Sequence, residues 1–415
     1  MSGTQAGKRI RVHFEPDNIT AVAEPNVSLL ETAIAAGVHI NAACGGAGVC
    51  GTCKVLIEEG KVASHRTAKV SRQEYARGVR QACQSRPLSD LKVQIPPESR
   101  LEKAVLEREM AAAHSPEVLV ANWEFKPPVG KLLLELKAPT LKDNTSDLTR
   151  LLKGLARQHG LANIPVDFGV VKKLSAVLRK GGWRVTVTVL KGSNGRAKMI
   201  NVEPGDTRAR LYGLVFDIGT TGVRGQLLDL NRGQVLAQGL DYNGQLHYGA
   251  DVISRIAYSS KRGGLKKLQQ AAVATINGIN KRLLKQAEVK AVEISHMVVA
   301  ANTTMVQLLL GLDPKYLRLA PYVPTAGAPP LVSARSLGIR VAEHVYVYTI
   351  PSVASYVGGD IVAGILGTGV YQRQKLTLYI DIGTNGEIAI GNSDWMVTAS
   401  CSAGPAFEGG GIKHG

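Results

Sequence analysis

Four cysteines (Cys44, Cys50, Cys53 and Cys83) and two copies of Asp-Ile-Gly-Thr (Asp217–Thr220 and Asp381–Thr384) are the residues whose spacing most directly implies chemistry. Three thiols fall on one loop, Cys44-Gly-Gly-Ala-Gly-Val-Cys50-Gly-Thr-Cys53, and the fourth lies thirty positions on. Three thiolates on a long loop plus a distant fourth suit a [2Fe–2S] cluster. The glycines let the backbone wind closely and aim N–H groups at sulfur. Zinc is the alternative, but structural zinc sites usually pair two short knuckles. The fifth cysteine, Cys401, is expected to be a buried small residue.

Each Asp-Ile-Gly-Thr ends one apolar run (Tyr212–Phe216 and Leu376–Ile380) and is followed by another. That is a strand, tight turn, strand pattern. Glycine and small hydroxyl residues in such a turn present N–H and O–H groups to an anion, and the Asp can hold a hydrated cation beside it. Two such turns facing across a cleft can grip a nucleotide triphosphate. The competing reading is that both Asp side chains simply cap turns. Between the copies, Gly358-Gly359-Asp360 lies in a helix expected over Ala354–Leu366. Asn302-Thr303-Thr304-Met305 supplies either polar contacts to the cleft or an N-cap.

The elements that position these residues follow from patterning. Arg9–Glu15, Thr20–Ala23, Lys54–Glu58 and Leu91–Ile95 read as strands. Capping boxes at Ser28/Glu31 and Ser71/Glu74 start two helices, the first over Leu29–Ala36 and stopped by Gly37. Arg100–Ala113 reads as a helical linker. Lys131–Lys137, Trp183–Leu190 and Ala197–Val202 read as strands, the last two joined by a Ser193-Asn194-Gly195 turn. Asp147–Gln158, with Asp147 as N-cap, and Phe168–Arg179 read as helices. Beyond Leu211 the pattern is strand-rich, then helical over Leu265–Lys285, then strand at Ile294–Ala300, with a loop at Pro321–Pro330. The division is 7–97, a linker over 98–125, a basic unit over 126–206, and 207–415.

A chain of 415 residues, 45% hydrophobic, implies two to four domains. No apolar run approaches the ~20 residues that span a bilayer. The polar, basic start, Met1–Arg11, has no apolar signal core. Four cysteines in a metal-type constellation argue for a reducing cytoplasm. The nine histidines show no ligand spacing. The formal charge is +17, and residues 126–210 hold 17 Lys/Arg against 6 Asp/Glu. A solvated basic surface or an acidic protein partner accounts for this. Nucleic acid is disfavoured, because neither aromatic interleaving nor a reading motif accompanies the charge.

The five-residue first gap between the cysteines resembles the adrenodoxin-like ferredoxins, and the surrounding elements resemble the β-grasp fold. The two Asp-Ile-Gly-Thr turns resemble the phosphate loops of the actin, sugar-kinase and heat-shock-chaperone ATPases, with a ribonuclease H-like fold. That resemblance implies that Asp217 and Asp381 hold hydrated Mg²⁺. It also implies that Thr220, Thr221, Thr384 and Asn385 donate to phosphate beside the backbone of Gly219 and Gly383, and that Asp360 positions the attacking water. These residue types are adequate for phosphoryl transfer, which depends mainly on positioning and charge neutralisation.

In order, the chain carries the ferredoxin loop, a linker, a basic middle domain and a divided ATPase. It also carries Gly249-Ala-Asp-Val-Ile-Ser-Arg255, Asn302–Met305, Tyr356-Val-Gly-Gly-Asp360 and Ala403-Gly-Pro-Ala-Phe-Glu-Gly409. The whole is similar to the reductive activators of corrinoid proteins. The resemblance implies an α/β multi-domain protein: a β-grasp ferredoxin domain, a small α/β middle domain and an actin-like ATPase domain. Family members continue into a lobe carrying the adenosine pocket, so only the N-terminal part of the ATPase domain is expected here. The implied activity is ATP-dependent reduction of Co(II) to Co(I) in a corrinoid protein of a methyltransferase system. It would use a [2Fe–2S] cluster, ATP with Mg²⁺ and an external low-potential electron donor, in a cytoplasmic protein that forms a homodimer. Two other classes fit the motifs. One is a kinase-like phosphotransferase regulated by a cluster, with no need of a corrinoid partner. The other is an electron-transfer or docking module whose ATPase part is inactive.

Overall fold

The structure is a computed structural model that describes residues 9–100, 124–192, 195–383 and 385–402. In the N-terminal domain, β1 (Ile10–Glu15) pairs antiparallel with β2 (Ile19–Ala23). Helix α1 (Leu29–Ala35) begins at the expected capping box: the Glu31 N–H donates to the Ser28 hydroxyl and the Ser28 N–H to the Glu31 carboxylate, both at 3.2 Å. Strand β3 (Lys54–Glu59), helix α2 (Arg72–Ala76), β4 (Val79–Gln81) and β5 (Leu91–Gln94) follow. Helix α2 also starts at its capping box, Ser71/Glu74. The sheet order is β2-β1-β5-β3-β4, with only β1 and β5 parallel. Helix α1 contributes Leu29, Leu30 and Ala33 to a core with Val12, Phe14, Val55 and Val93, the β-grasp arrangement.

The middle domain is an antiparallel sheet, β8-β7-β6, built from β6 (Val129–Glu135), β7 (Arg184–Lys191) and β8 (Ala197–Pro204). Helices α3 (Asp147–His159) and α4 (Phe168–Lys180) pack Leu151, Leu155, Leu174 and Leu178 against Val185 and Val187. Ser146, not Asp147, caps α3; its hydroxyl accepts from the Thr149 N–H at 3.3 Å. Asp147 instead sits in the first turn, where its charge favours the helix N-terminus, and it pairs with Arg179 at 2.8 Å. Leu190 and Ile200 point to the opposite face and join Val129, Leu211, Leu230 and Tyr346 in a second apolar cluster. That cluster fixes the middle domain to the next one. It also explains why β7 is buried on both faces.

The third domain is built on a six-stranded sheet. Strands β9 (Tyr212–Ile218), β10 (Gly222–Asp229) and β11 (Gln234–Tyr242) form an antiparallel meander. Helices α5 (Val252–Ser259) and α6 (Gly264–Gln286) lead to β12 (Ile294–Ala301), which pairs parallel with β9. After α7 (Thr303–Leu310), β13 (Val332–Ser333) and β14 (Tyr346–Thr349) complete the order β11-β10-β9-β12-β14-β13. Helix α6 buries Leu268, Ile276, Ile279 and Leu283 against Phe216, Val223 and Leu227. Helix α8 (Gly359–Thr368) then precedes a separate antiparallel sheet of β15 (Thr377–Ile382), β16 (Asn385–Gly391) and β17 (Met396–Ser402).

Helix α8 starts five residues later than its apolar pattern suggests. Ala354 and Val357 form a β-bridge, and Gly358 is extended at the N-cap. A Cβ on Gly358 would lie 2.4 Å from the Asn302 Cα, so the chain passes there only as glycine. Cys401 is exposed on the edge strand β17, not buried as its size suggested. The linker helix over residues 101–113, the Ser193-Asn194 turn, Thr384 and Ala403–Gly409 lie outside the described residues. Among the described residues no helix is long and apolar enough to cross a membrane.

Candidate functional site

The cysteine loop follows α1 and leads into β3, while Cys83 lies in a single helical turn, Ala82–Gln84, after β4. This brings the four sulfurs into two pairs. Cys44 and Cys50 Sγ are 3.2 Å apart, and Cys53 and Cys83 Sγ are 3.4 Å apart. Both separations far exceed a disulfide bond of about 2.05 Å. Two thiolates on each of two irons match this pairing.

The surroundings favour thiolate at Cys44 and Cys83. Burial raises the Cys44 pKa, but N–H groups of Gly48, Val49 and Cys50 and the Cys50 thiol outweigh it and hold the Cys44 pKa below its ordinary value. The Cys53 thiol donating to Cys83 holds Cys83 down to about 7, helped by the Gln84 amide, while the same contact and burial push Cys53 up. Gln84 also donates to the Gly46 carbonyl at 3.3 Å.

The loop rests on the third domain. A Cβ on Gly45, whose φ is +60°, would stand 2.1 Å from the Tyr248 carbonyl oxygen. The Ala250 N–H donates to the Ala43 carbonyl at 3.1 Å. The His39 ring stacks on His247, with centroids 5.4 Å apart. Burial, then the charges of His39 and Arg255, push His247 down to about 4, so the His247 ring is neutral at neutral pH.

The first Asp-Ile-Gly-Thr forms the tight connection between β9 and β10. Asp217 is exposed near the end of β9, whereas Thr220 and Thr221 are buried. The turn is held from behind. Asn243 donates its amide to the Gly219 carbonyl and its N–H to the Thr221 carbonyl, both at 2.8 Å. Arg255 donates to the Thr220 carbonyl at 2.5 Å. Asn302 is the N-cap of α7, its side-chain oxygen accepting from the Met305 N–H at 2.9 Å, and its amide donates to the Thr220 hydroxyl at 3.3 Å. Asp217 also lines a hollow of about 200 Å³ with Arg224, Gln226 and Gln238.

The second copy joins β15 to β16, where the Gly383 N–H donates to the Asn385 carbonyl at 2.9 Å. Asp381 lies on the half-buried face of β15, and the Tyr379 phenol donates to its carboxylate at 3.3 Å. Burial, then the charges of Asp381, Asp360 and Asp217, raise the Tyr379 pKa. Asp381 touches the phenol, and the charges of Asp360 on α8 and Asp217 on β9 also act on it. Tyr379 was not singled out from sequence. Its only signal is the alternation Thr377, Tyr379, Asp381, which puts it on the face of Asp381. Arg255 and Asn243 were likewise unassigned.

Asp360 sits in the first turn of α8, and burial, reinforced by the negative charge of Asp381, pushes it up to about 6. Between its ordinary value of 3.8 and about 6 the folded protein holds a proton that the unfolded chain releases. Stability therefore falls as pH rises through this window. Asp360→Asn is expected to flatten that dependence and to stabilise the nucleotide-free protein above pH 7 by on the order of 3 kcal/mol. Urea midpoints between pH 4.5 and 8 check it; a variant less stable than the parent at pH 8 contradicts the assignment.

Comparison with known proteins adds the following. Residues 12–88 match the 2Fe-2S iron-sulfur cluster binding domain, 119–209 the RACo linker region, 212–373 the RACo middle region and 375–415 the C-terminal ASKHA domain of RACo. The chain is 34% identical over 251 residues to the corrinoid activation enzyme RamQ of Eubacterium limosum, covering 60% of this chain and 41% of that protein. It is 25% identical over 218 residues to the [Co(II) methylated amine-specific corrinoid protein] reductase of Methanosarcina barkeri, covering 49% and 38%. A solved reductive activator for corrinoid, iron-sulfur protein superposes with a TM-score of 0.66 at 41% identity, covering 98% of this chain and 65% of that one. The chain thus spans about two fifths of these curated relatives and about two thirds of the solved structure.

Proposed function

The chain belongs to the family of reductive activators of corrinoid proteins, and from that premise we propose that it delivers single electrons to a corrinoid protein, taking Co(II) to Co(I) at the expense of ATP. The observation that carries this reading is the seating of the cysteine loop on the domain that holds the carboxylates, through Ala43, Gly45, Tyr248 and Ala250. A redox loop and a phosphate site in such contact serve one reaction more readily than two.

Cys44 and Cys50 would hold one iron, and Cys53 and Cys83 the other, reloaded by an external low-potential donor. When bound, the cluster supplies a one-electron carrier near about −400 mV. An acceptor about 120 mV lower would remain about 1% reduced, which is the shortfall that ATP offsets. On the nucleotide side, Thr220, Thr221, Thr384 and Asn385, with the backbone of Gly219 and Gly383, would donate to phosphate oxygens. Asp217 and Asp381 would orient the water shell of Mg²⁺, and Asp360, raised towards neutral pH, would accept a hydrogen bond from the attacking water. Tyr379 would hold the Asp381 carboxylate in place. The N-terminal domain exposes Arg66, Lys69, Arg72 and Arg77, whose charge suits an acidic partner.

The test is anaerobic mixing of the protein with a Co(II) corrinoid protein, a low-potential reductant and ATP, followed by the visible spectrum of Co(I). Co(I) should accumulate only when ATP is present. Equal accumulation without ATP would remove the coupling, and none in either case would remove the function.

A further inference from the structure

Arg255 is the largest side chain with no exposure in the described structure, and its guanidinium reaches two places that the proposed reaction must connect. Nη2 donates to the Thr220 carbonyl at 2.5 Å, and Nε donates to the Gly249 carbonyl at 2.8 Å. Nη1 is anchored by the Gln245 amide oxygen and the Met305 sulfur, both at 3.2 Å. These partners come from the first phosphate turn, from the segment after β11 and from α7, so the planar fork is pinned on three sides.

Both carbonyls belong to peptides whose other ends do further work. The Thr220 carbonyl shares its rigid plane with the amide of Thr221, inside the turn assigned to phosphate. The Gly249 carbonyl shares its plane with the Ala250 N–H, which donates to the Ala43 carbonyl at 3.1 Å. That carbonyl in turn shares a plane with the amide of Cys44. Three peptide planes and one guanidinium therefore link the phosphate turn to the first cysteine, without a flexible side chain between them. Planar peptides move as units, and hydrogen bonds in such a chain polarise one another. Slack is limited further because Gly45 is packed so closely on the Tyr248 carbonyl.

We propose that Arg255 is the positioning residue through which nucleotide bound at the first turn resets the cysteine loop. The inference rests on the nucleotide and cluster assignments above and adds the route between them. Two variants cut it at different points. Arg255→Lys keeps the charge but cannot span both carbonyls. Ala250→Pro removes the N–H to Ala43, puts a ring carbon in its place, and lies outside both the phosphate turn and the cysteine loop.

The experiment loads the protein with its cluster and titrates the midpoint potential and the electron paramagnetic resonance spectrum, with and without a non-hydrolysable ATP analogue and Mg²⁺. Analogue binding is measured separately by calorimetry. In the unmodified protein the analogue should shift both signals. In each variant that folds and retains iron and sulfide, the shift should fall by about threefold or more. For Ala250→Pro, analogue affinity should stay close to that of the parent. An undiminished shift in Ala250→Pro overturns the route whatever becomes of Arg255→Lys. Analogue binding with no shift in the unmodified protein overturns the route alone. No analogue binding at all removes the nucleotide assignment, and the route with it.

Discussion

Replacing Cys53 by alanine is expected to strip the protein of acid-labile sulfide and of about two irons per chain. Cys53 is 1% exposed and packs in the N-terminal core, so alanine takes away one sulfur and leaves the packing around it nearly intact. Its loss would leave Cys83 without the partner 3.4 Å away, and one metal with a single protein thiolate. The brown visible absorption of the reconstituted protein should vanish, while the far-ultraviolet circular dichroism of the sheet persists. Cys401→Ala is the control, since Cys401 is exposed on a different sheet and should change neither iron nor sulfide. Iron and sulfide retained in Cys53→Ala would dissolve the four-cysteine assignment. Zinc without sulfide in the parent would replace it with the zinc reading.

The cysteines were legible because their chemistry depends on spacing along the chain, and a loop of glycines has few other uses. The N-terminal fold was legible for a similar reason: its capping boxes at Ser28 and Ser71 are local, and its strands alternate over short runs. What local pattern could not supply was the division of the thiols into two pairs, which depends on Cys83 arriving from β4.

The nucleotide side was less legible. The two Asp-Ile-Gly-Thr turns could be found as repeats, but nothing in either copy says where the chain places it relative to the other, 164 positions away. Tyr379, which donates to Asp381, looks like an ordinary aromatic in a strand until α8 is packed over it. A Cβ on Gly364 of α8 would stand 2.0 Å from the Tyr379 hydroxyl. Arg255 closes the Gly249–Arg255 motif, but the motif gives it no role, and only burial among carbonyls reveals one. Helix boundaries drifted where tertiary contact overrode the apolar run. Gly358 against Asn302 delays α8, and the hydroxyl of Ser146 takes the cap from Asp147.

Asp217→Asn should leave iron, sulfide and cluster absorption unchanged and lower the ATP-dependent rate of Co(I) formation by about 10²–10³-fold, the scale for removing one member of a preorganised electrostatic site. The side chain is exposed near the end of β9, so the change should cost the fold little. What it removes is the negative charge that Tyr379 senses together with those of Asp360 and Asp381. Asparagine keeps the shape and one acceptor but lowers the attraction for a divalent cation. The loss should therefore shrink as Mg²⁺ is raised, if Asp217 acts through the metal. It should be insensitive to Mg²⁺ if Asp217 only shapes the turn. Asp381→Asn is expected to act in the same direction but with a folding cost, because the Tyr379 hydroxyl loses a charged acceptor at 3.3 Å in a half-buried position. An Asp217→Asn protein that reduces cobalt at the parental rate with ATP would detach the first turn from the reaction, whatever the cysteines do.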